Sequence, residues 1–169
     1  TTYLKPLVQW VKSTNRKETG ISEDEKTARA NKFISELGNY FDVSYLADYY
    51  ILTEIFGCVD QRVKNQMMAF FYNPDKAKML AYMIFYDCDT ILGVRNDGRL
   101  KYDWDVNENT VDSELSTSDK TVYAYAGHDC ALWITLRELM ADKLQEAYKR
   151  LRAKMSNDTV FQMFDDEQS

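Results

Sequence analysis

Apolar residues recur every three or four positions over much of the chain, and this spacing predicts helices near both ends. A short helix is expected over residues 3–13. Ser22, with Glu25 three residues later, forms a capping box in which each side chain satisfies a free backbone amide of the first turn. A second helix should therefore begin at Ser22 and run to Leu37, where Gly38-Asn39 predicts its end.

A third helix, capped by Asp42 or Ser44, is apolar on all sides, which is typical of a buried helix. The period then changes from helical to alternating. Residues 67–72 and 79–86 are strand-like runs, and the turn signal Asn73-Pro74-Asp75 lies between them. These features predict a β-hairpin with a loop of about eight residues.

The helical period returns from about residue 129, with a break near Ala141, and Ser156 offers a cap for a last short helix. Helices on both sides of a separate hairpin are typical of an α+β domain in which helices dominate. We expect one domain or lobe in four parts: a helical lead-in (1–44), a core (45–93), an acidic loop (94–127) and C-terminal helices (128–169). Because the chain begins with Thr1 rather than Met, we expect it to be a fragment of a larger protein.

Composition and charge exclude several classes of function. The 169 residues suit a single domain, and the formal net charge of −6 argues against a dedicated nucleic-acid binder, which usually carries a basic surface. No apolar run approaches the roughly 18 residues that span a bilayer, so no membrane association is expected. The cysteines form no CxxC pair and His128 is the single histidine, which argues against a zinc site. His128, Asp129 and Cys130 are adjacent, and adjacent residues rarely converge as a catalytic triad.

The side chains that could do chemistry lie between the third helix and the end of the hairpin. Asp60 and Asn65 form a D-x-x-x-x-N motif directly before the hairpin, and Asp87 and Asp89 follow its second strand. Such short motifs are common. The same residues also have ordinary structural uses, as a turn cap, a loop amide and solvated carboxylates.

Phosphoryl transfer is the chemistry that would need these groups together. It requires a carboxylate beside the accepting hydroxyl and oxygen ligands for Mg²⁺, which neutralises charge on the phosphate. In protein kinases one loop supplies the carboxylate and a metal-binding Asn five residues later, and an Asp at the end of a following strand supplies another ligand. By that comparison Asp60 orients the hydroxyl, Asn65 and either Asp87 or Asp89 bind Mg²⁺, and Lys64 contacts phosphate.

Residues 45–93 resemble the spore-coat protein H (CotH) kinase-like family, through the stretches DYYILTEIFGCVDQRVKNQMMAFFYNP and AYMIFYDCDTILG. The family pattern is a helix ending in Glu-x-Phe-Gly, then an Asp, a Lys-Asn or Arg-Asn pair entering a hairpin, and aromatic-Asp-x-Asp before Gly. The residues at these positions are Glu54, Phe56, Gly57, Asp60, Lys64, Asn65, Asp87, Asp89 and Gly93.

Residues 128–169 are similar to versions of this domain in large virion proteins of tailed phages. There an Asp followed by Leu-Trp begins the helices after the loop, as Asp129, Leu132 and Trp133 do here.

The resemblance implies a kinase-like C-lobe, with ATP and Mg²⁺ as cofactors if the domain is active. It implies that Asp60 and Lys64 are catalytic, that Lys64 and Asn65 bind the cofactor, and that Asn65, Asp87 and Asp89 bind the metal. The chain has no Gly-rich phosphate loop and no strand Lys of the Val-Ala-Ile-Lys kind before residue 45. A nucleotide-binding N-lobe would therefore lie outside this chain.

Two classes of function follow. One is an enzyme that transfers phosphate from ATP to a protein hydroxyl. The other, which the acidic charge and the phage-like tail favour, is a structural module of a phage virion or tail. Its partners would be other virion or assembly proteins, in the particle or in the host cytoplasm during assembly, and its kinase-like site would be silent.

A haloacid-dehalogenase-like phosphatase is a third interpretation, because an apolar strand ending in Asp-x-Asp-x-Thr opens that fold. Thr90 comes one position too early for that motif. The acidic cluster around Asp103 and Asp105 could bind a cation, but it lacks EF-hand spacing, and a solvated loop is favoured.

Overall fold

The structure is a computed structural model that describes residues 2–58, 61–62, 65–89, 91–92, 94 and 131–167. Within these residues, helices precede and follow a single two-stranded antiparallel sheet, so the predicted α+β class is confirmed. The elements are α1 (Leu4–Ser13), α2 (Glu23–Tyr40), α3 (Val43–Ile55), β1 (Met67–Asn73), β2 (Lys78–Ile84), α4 (Ala131–Leu139), α5 (Ala141–Lys154) and α6 (Asn157–Glu167).

Three helices begin at the capping residues that the sequence indicated. The Ser22 hydroxyl accepts a hydrogen bond from the amide of Glu25 at 3.2 Å. Of the two candidates for α3, Asp42 is the cap, and its carboxylate accepts from the amide of Tyr45 at 3.0 Å. Ser156 accepts from the amide of Thr159 at 3.1 Å. Each cap satisfies a first-turn amide that has no partner inside the helix.

The predicted end of α2 is wrong, because the helix continues through Gly38 and Asn39 to Tyr40. The extra turn stacks the Tyr40 ring on Trp10, with ring centroids 4.7 Å apart, and leads directly to buried Phe41. Packing of these aromatic side chains outweighs the roughly 1 kcal/mol by which a glycine weakens a helix.

The predicted hairpin is confirmed, but its loop is shorter than expected. The strands pair from Met67↔Ile84 to Asn73↔Lys78, so the turn contains only residues 74–77. The Asn73 side chain accepts a hydrogen bond from the amide of Lys76 at 3.0 Å, which stabilises the tight turn. The strand β2 ends at Ile84, and the residues after it leave the sheet.

One apolar core joins the helices to the hairpin. Helices α1 and α2 pack against α4, and α3 packs against α5. The Arg150 guanidinium of α5 also donates to Asp48 of α3 at 2.6 Å, so this ion pair bridges the two helices. The buried residues of this core are Leu7, Trp10, Phe33, Leu37, Phe41, Leu46, Ala47, Tyr49, Tyr50, Ala81, Met83, Leu132, Trp133, Leu136, Leu144 and Ala147.

The hairpin is fixed to α3 along β2. Phe41 makes a parallel bridge to Ala81, and the Tyr45 hydroxyl donates to the carbonyl of Met83 at 2.7 Å. The residues that follow β2 therefore leave from a strand held in place by the helical core. None of the helices in the described ranges combines the length and apolarity that a membrane span requires.

Candidate phosphotransfer site

Asn65 and Asp87 are in direct contact. The Asn65 side-chain nitrogen donates to the Asp87 carboxylate at 3.1 Å and lies 3.3 Å from the Asp87 carbonyl oxygen. The hairpin explains this proximity: Asn65 precedes β1, Asp87 follows β2, and Met67 pairs with Ile84. In an antiparallel hairpin the start of the first strand lies beside the end of the second, so the residues just before and just after the hairpin lie close together.

The donor atoms of this pair suit a hard cation. With the Asn65 nitrogen directed at Asp87, the Asn65 side-chain oxygen and the second Asp87 carboxylate oxygen remain for a ligand, and oxygen is what Mg²⁺ prefers. Asp89 lies two residues further on and, like Asp87, is exposed. Among the described residues, no group of three His, Cys, Asp or Glu side chains is arranged to hold a metal ion.

Asp87 has an unusual backbone conformation. Its φ of 55° lies in the left-handed region, which is unfavourable for a residue with a Cβ. The Gln61 side-chain nitrogen donates to the carbonyls of Tyr86 at 3.1 Å and of Asp87 at 2.9 Å. These hydrogen bonds hold the strand exit in the position where Asp87 reaches Asn65.

The helix α3 ends immediately before the loop that contains Gln61, and a glycine forms that end. Gly57 has a φ of 60°, its amide donates to Glu54 at 3.2 Å, and the amide of Cys58 donates to Thr53 at 2.8 Å. This is a Schellman motif, which requires a left-handed residue after the helix. The glycine of the Glu-x-Phe-Gly pattern therefore has a backbone role, and Leu92 also returns to this point by donating to the Phe56 carbonyl at 2.6 Å.

Arg62 is a buried cation at the centre of the loop. It is 1% exposed, forms an ion pair with Glu54, and places its guanidinium 4.4 Å from the centroid of the Tyr50 ring. A buried charge requires such partners because desolvation is otherwise too costly. Glu54, the acidic residue of the Glu-x-Phe-Gly pattern at the end of α3, thus neutralises the positive charge of Arg62 in the loop.

Two aromatic side chains hold the loop backbone. The Tyr49 hydroxyl donates to the Gln61 carbonyl at 3.0 Å. The Trp133 indole nitrogen donates to the Arg62 carbonyl at 2.8 Å and to the Gln66 side-chain oxygen at 3.0 Å. Helices α3 and α4 therefore hold Gln61, Arg62 and Gln66 in place.

Burial raises the pKa of the groups beneath this loop. The pKa of the Cys58 thiol rises to about 12, chiefly through desolvation and then through Cys88. The Cys88 pKa is also raised, first by burial and then by the charges of Asp87 and Asp89. Burial likewise raises the pKa of the Tyr49 hydroxyl. All three groups stay protonated near neutral pH, so the floor of the site adds no negative charge.

Only some of the predicted site residues are among those that the structure describes. Asn65 and Asp87 are together, and Asp89 is exposed on the same segment. Asp60 and Lys64, the predicted catalytic residues, lie outside the described residues, and so do Thr90 and Gly93. The same holds for the acidic cluster around Asp103 and for the sequence His128-Asp129-Cys130.

Sequence analysis missed the roles of Gln61 and Arg62, which occupied unspecified positions of the D-x-x-x-x-N motif. Both are almost fully buried, yet polar residues in a loop are ordinarily exposed. Gln61 and Arg62 follow Asp60 in a polar run, and this local pattern carries no signal of their burial.

Comparison with protein families gives one match. The family model described as CotH kinase protein matches residues 8–168, which is nearly the whole chain. Searches of the curated proteins and of the solved structures gave no match. The matched range contains Gly57, Arg62, Asn65 and Asp87, and it extends beyond residues 45–93 on both sides. The chain belongs to the CotH kinase protein family.

Proposed function

We propose that this domain transfers the γ-phosphoryl group of ATP to a protein hydroxyl in the presence of Mg²⁺. The observation that carries the proposal is the contact between Asn65 and Asp87, at 3.1 Å, at the exit of a hairpin that follows the D-x-x-x-x-N loop. Kinase-like phosphotransfer needs an amide oxygen and a carboxylate beside each other at this point of the fold. The family match to kinase proteins gives independent support.

The proposed division of labour follows the chemistry of each group. Asn65 and Asp87 supply oxygen ligands, with Asp89 as a further carboxylate on the same exposed segment. Asp60 accepts the proton of the attacking hydroxyl, and Lys64 neutralises phosphate charge. Bound Mg²⁺ would supply charge neutralisation between the β- and γ-phosphates. The hydroxyl oxygen forms a bond to the γ-phosphorus, the bond from that phosphorus to the bridging oxygen breaks, and ADP leaves.

The fixed loop supports this role, because phosphotransfer depends mainly on positioning and electrostatics. Three contacts fix Gln61 and Arg62 of this loop: Tyr49 to Gln61, Trp133 to Arg62, and Glu54 to Arg62. The phosphatase alternative gains no support. Asp87 follows the second strand of an antiparallel hairpin, whereas that chemistry places its Asp after a strand that opens a parallel sheet.

Calorimetric titration of the full-length protein with Mg²⁺ and a non-hydrolysable ATP analogue tests the proposal. We expect saturable binding that weakens at least tenfold in Asp87→Asn and in Asn65→Leu, since each removes an oxygen ligand. Asp75→Asn is the matched control, because it makes the same change at an exposed position of the hairpin turn. Absence of binding, or binding that neither Asp87→Asn nor Asn65→Leu alters, refutes the proposal.

A further inference from the structure

Gln61 lies at the junction of the loop and the strand exit, and its side chain is 0% exposed. Its amide nitrogen donates to two successive carbonyls, those of Tyr86 at 3.1 Å and Asp87 at 2.9 Å. Both contacts are to acceptors, so the orientation of the amide is determined by the hydrogen bonds themselves. Within the described part of the chain, its side-chain oxygen is buried without a hydrogen-bond partner.

The buried side-chain oxygen of Gln61 costs free energy, which indicates that the two hydrogen bonds donated by its side-chain nitrogen are important for the structure. An unsatisfied buried acceptor is unfavourable, and an apolar side chain of similar size would avoid the penalty. The main chain of Gln61 is itself fixed, because its carbonyl accepts from the buried Tyr49 hydroxyl at 3.0 Å. A continuous link therefore runs from α3 through Gln61 to the backbone of Asp87.

Asp87 depends on this link for its conformation. Its φ of 55° lies in the left-handed region, which Asp adopts more readily than most residues but which still costs free energy, so the contacts around Asp87 help to hold it there. Asn65 contacts the same carbonyl from the opposite part of the loop, at 3.3 Å. Gln61 and Asn65 thus hold one peptide between them, and the direction of the Asp87 carboxylate follows from the direction of that peptide.

We propose that Gln61 is a positioning residue that holds Asp87 in the left-handed conformation needed for its carboxylate to face Asn65 and share a divalent cation with it. Gln61 does not contact the cation and acts only through the Asp87 backbone. The role in cation binding rests on the proposed function, whereas the control of the Asp87 backbone can be measured without any metal.

The test compares Gln61→Met with Tyr45→Phe in the full-length protein. Methionine keeps the length and volume of the side chain but donates no hydrogen bond. Tyr45→Phe is the matched control, because it removes a side-chain donor to a carbonyl of β2, that of Met83, three residues before Tyr86. Mn²⁺ binding is followed by the electron paramagnetic resonance signal of the free ion, and urea unfolding gives the stability of each variant.

We expect Gln61→Met to weaken Mn²⁺ binding about tenfold, while Tyr45→Phe changes it less than twofold at a comparable loss of stability. In the metal-free protein, nuclear magnetic resonance shifts of the Asp87 amide and Cα should move toward values typical of negative φ only in Gln61→Met. Should Gln61→Met fail to fold, Gln61→Asn provides the same comparison, because its shorter amide cannot reach both carbonyls.

Three outcomes distinguish failure of the inference about Gln61 from failure of the proposed function. Unchanged Asp87 shifts in the Gln61 variant overturn the inference, whatever the metal does. If the wild type and Gln61→Met bind Mn²⁺ with equal affinity, the inference about Gln61 is also overturned, and the proposed function is unaffected. Wild-type protein that binds no Mn²⁺ overturns the role of Gln61 in cation binding, while the calorimetric titration with the ATP analogue decides the proposed function. The shifts still decide whether Gln61 controls the Asp87 backbone.

Discussion

The replacement of Trp133 by Phe should destabilise the domain far more than the same replacement of Trp10. Both indoles are buried, at 1% and 3% exposure. They differ in their N–H groups. The Trp133 nitrogen donates to the Arg62 carbonyl at 2.8 Å, whereas the Trp10 nitrogen is buried without a partner among the described residues. The pair therefore separates the hydrogen bond from the loss of ring volume.

The magnitudes follow from these contacts. Shrinking either indole to a phenyl ring removes apolar atoms and leaves a small cavity, at about 2 kcal/mol. For Trp133→Phe the Arg62 carbonyl also loses its donor inside the protein, which adds about 2 kcal/mol and gives a total of about 4 kcal/mol. For Trp10→Phe an unsatisfied donor disappears, which offsets about 1 kcal/mol and leaves a net loss of about 1 kcal/mol.

Urea unfolding followed by far-ultraviolet circular dichroism measures both losses, since tryptophan fluorescence would change with the substitution itself. Equal slopes of the unfolding free energy against urea would show that the variants unfold from comparable states. We expect the free energy of unfolding of Trp133→Phe to be about 3 kcal/mol lower than that of Trp10→Phe. Equal losses, or a greater loss in Trp10→Phe, would refute the assignment of the loop anchor to the Trp133 hydrogen bond.

Two further predictions concern the same region. Glu54→Gln should lower the free energy of unfolding by about 2 kcal/mol, less than for a fully buried pair, because Glu54 is 29% exposed beside buried Arg62. Glu18→Gln, at an exposed pair with Arg29, should change the free energy of unfolding far less in the same assay. Burial raises the pKa of the Cys58 thiol from its ordinary value of 9.0 to about 12 in the folded protein, so the unfolded state alone releases the proton as pH rises through this interval. Stability from this group is complete below pH 9 and falls above it by up to about 1.4 kcal/mol per pH unit; Cys58→Ala should flatten that decline in urea titrations, and an unchanged slope would contradict the shift.

Local signals in the sequence predicted the local structure well. Ser22, Asp42 and Ser156 cap helices because the cap hydrogen bond spans only three residues and needs no other element. The predicted end of α2 is wrong because the contact that extends the helix, the stacking of Tyr40 on Trp10, is made between two helices and not within one. The hairpin loop was overestimated because cross-strand pairing up to Asn73 and Lys78 depends on the partner strand.

The candidate site shows the same division between local and distant causes. The order of motif, hairpin and carboxylate was sufficient to predict that Asn65 and Asp87 approach each other, since a hairpin brings its open ends together. The anchors of the loop were not predictable, because Trp133 is 71 residues from its acceptor and Gln61 is 26 residues from Asp87. The roles of Asp60 and Lys64 and the virion setting stay predictions, the latter resting only on the likeness of residues 128–169.

The Trp133 anchor has a consequence for the order of events during protein synthesis. The loop, the hairpin and Asp87 all leave the ribosome well before Trp133 does, at a translation rate of about 5–20 residues per second. Until α4 emerges, the Arg62 carbonyl lacks the indole that it contacts in the finished fold. The nascent chain can therefore form α1 to α3 and the hairpin before the contact with Trp133 is available, and the Arg62 carbonyl gains the indole donor only after α4 has been synthesised.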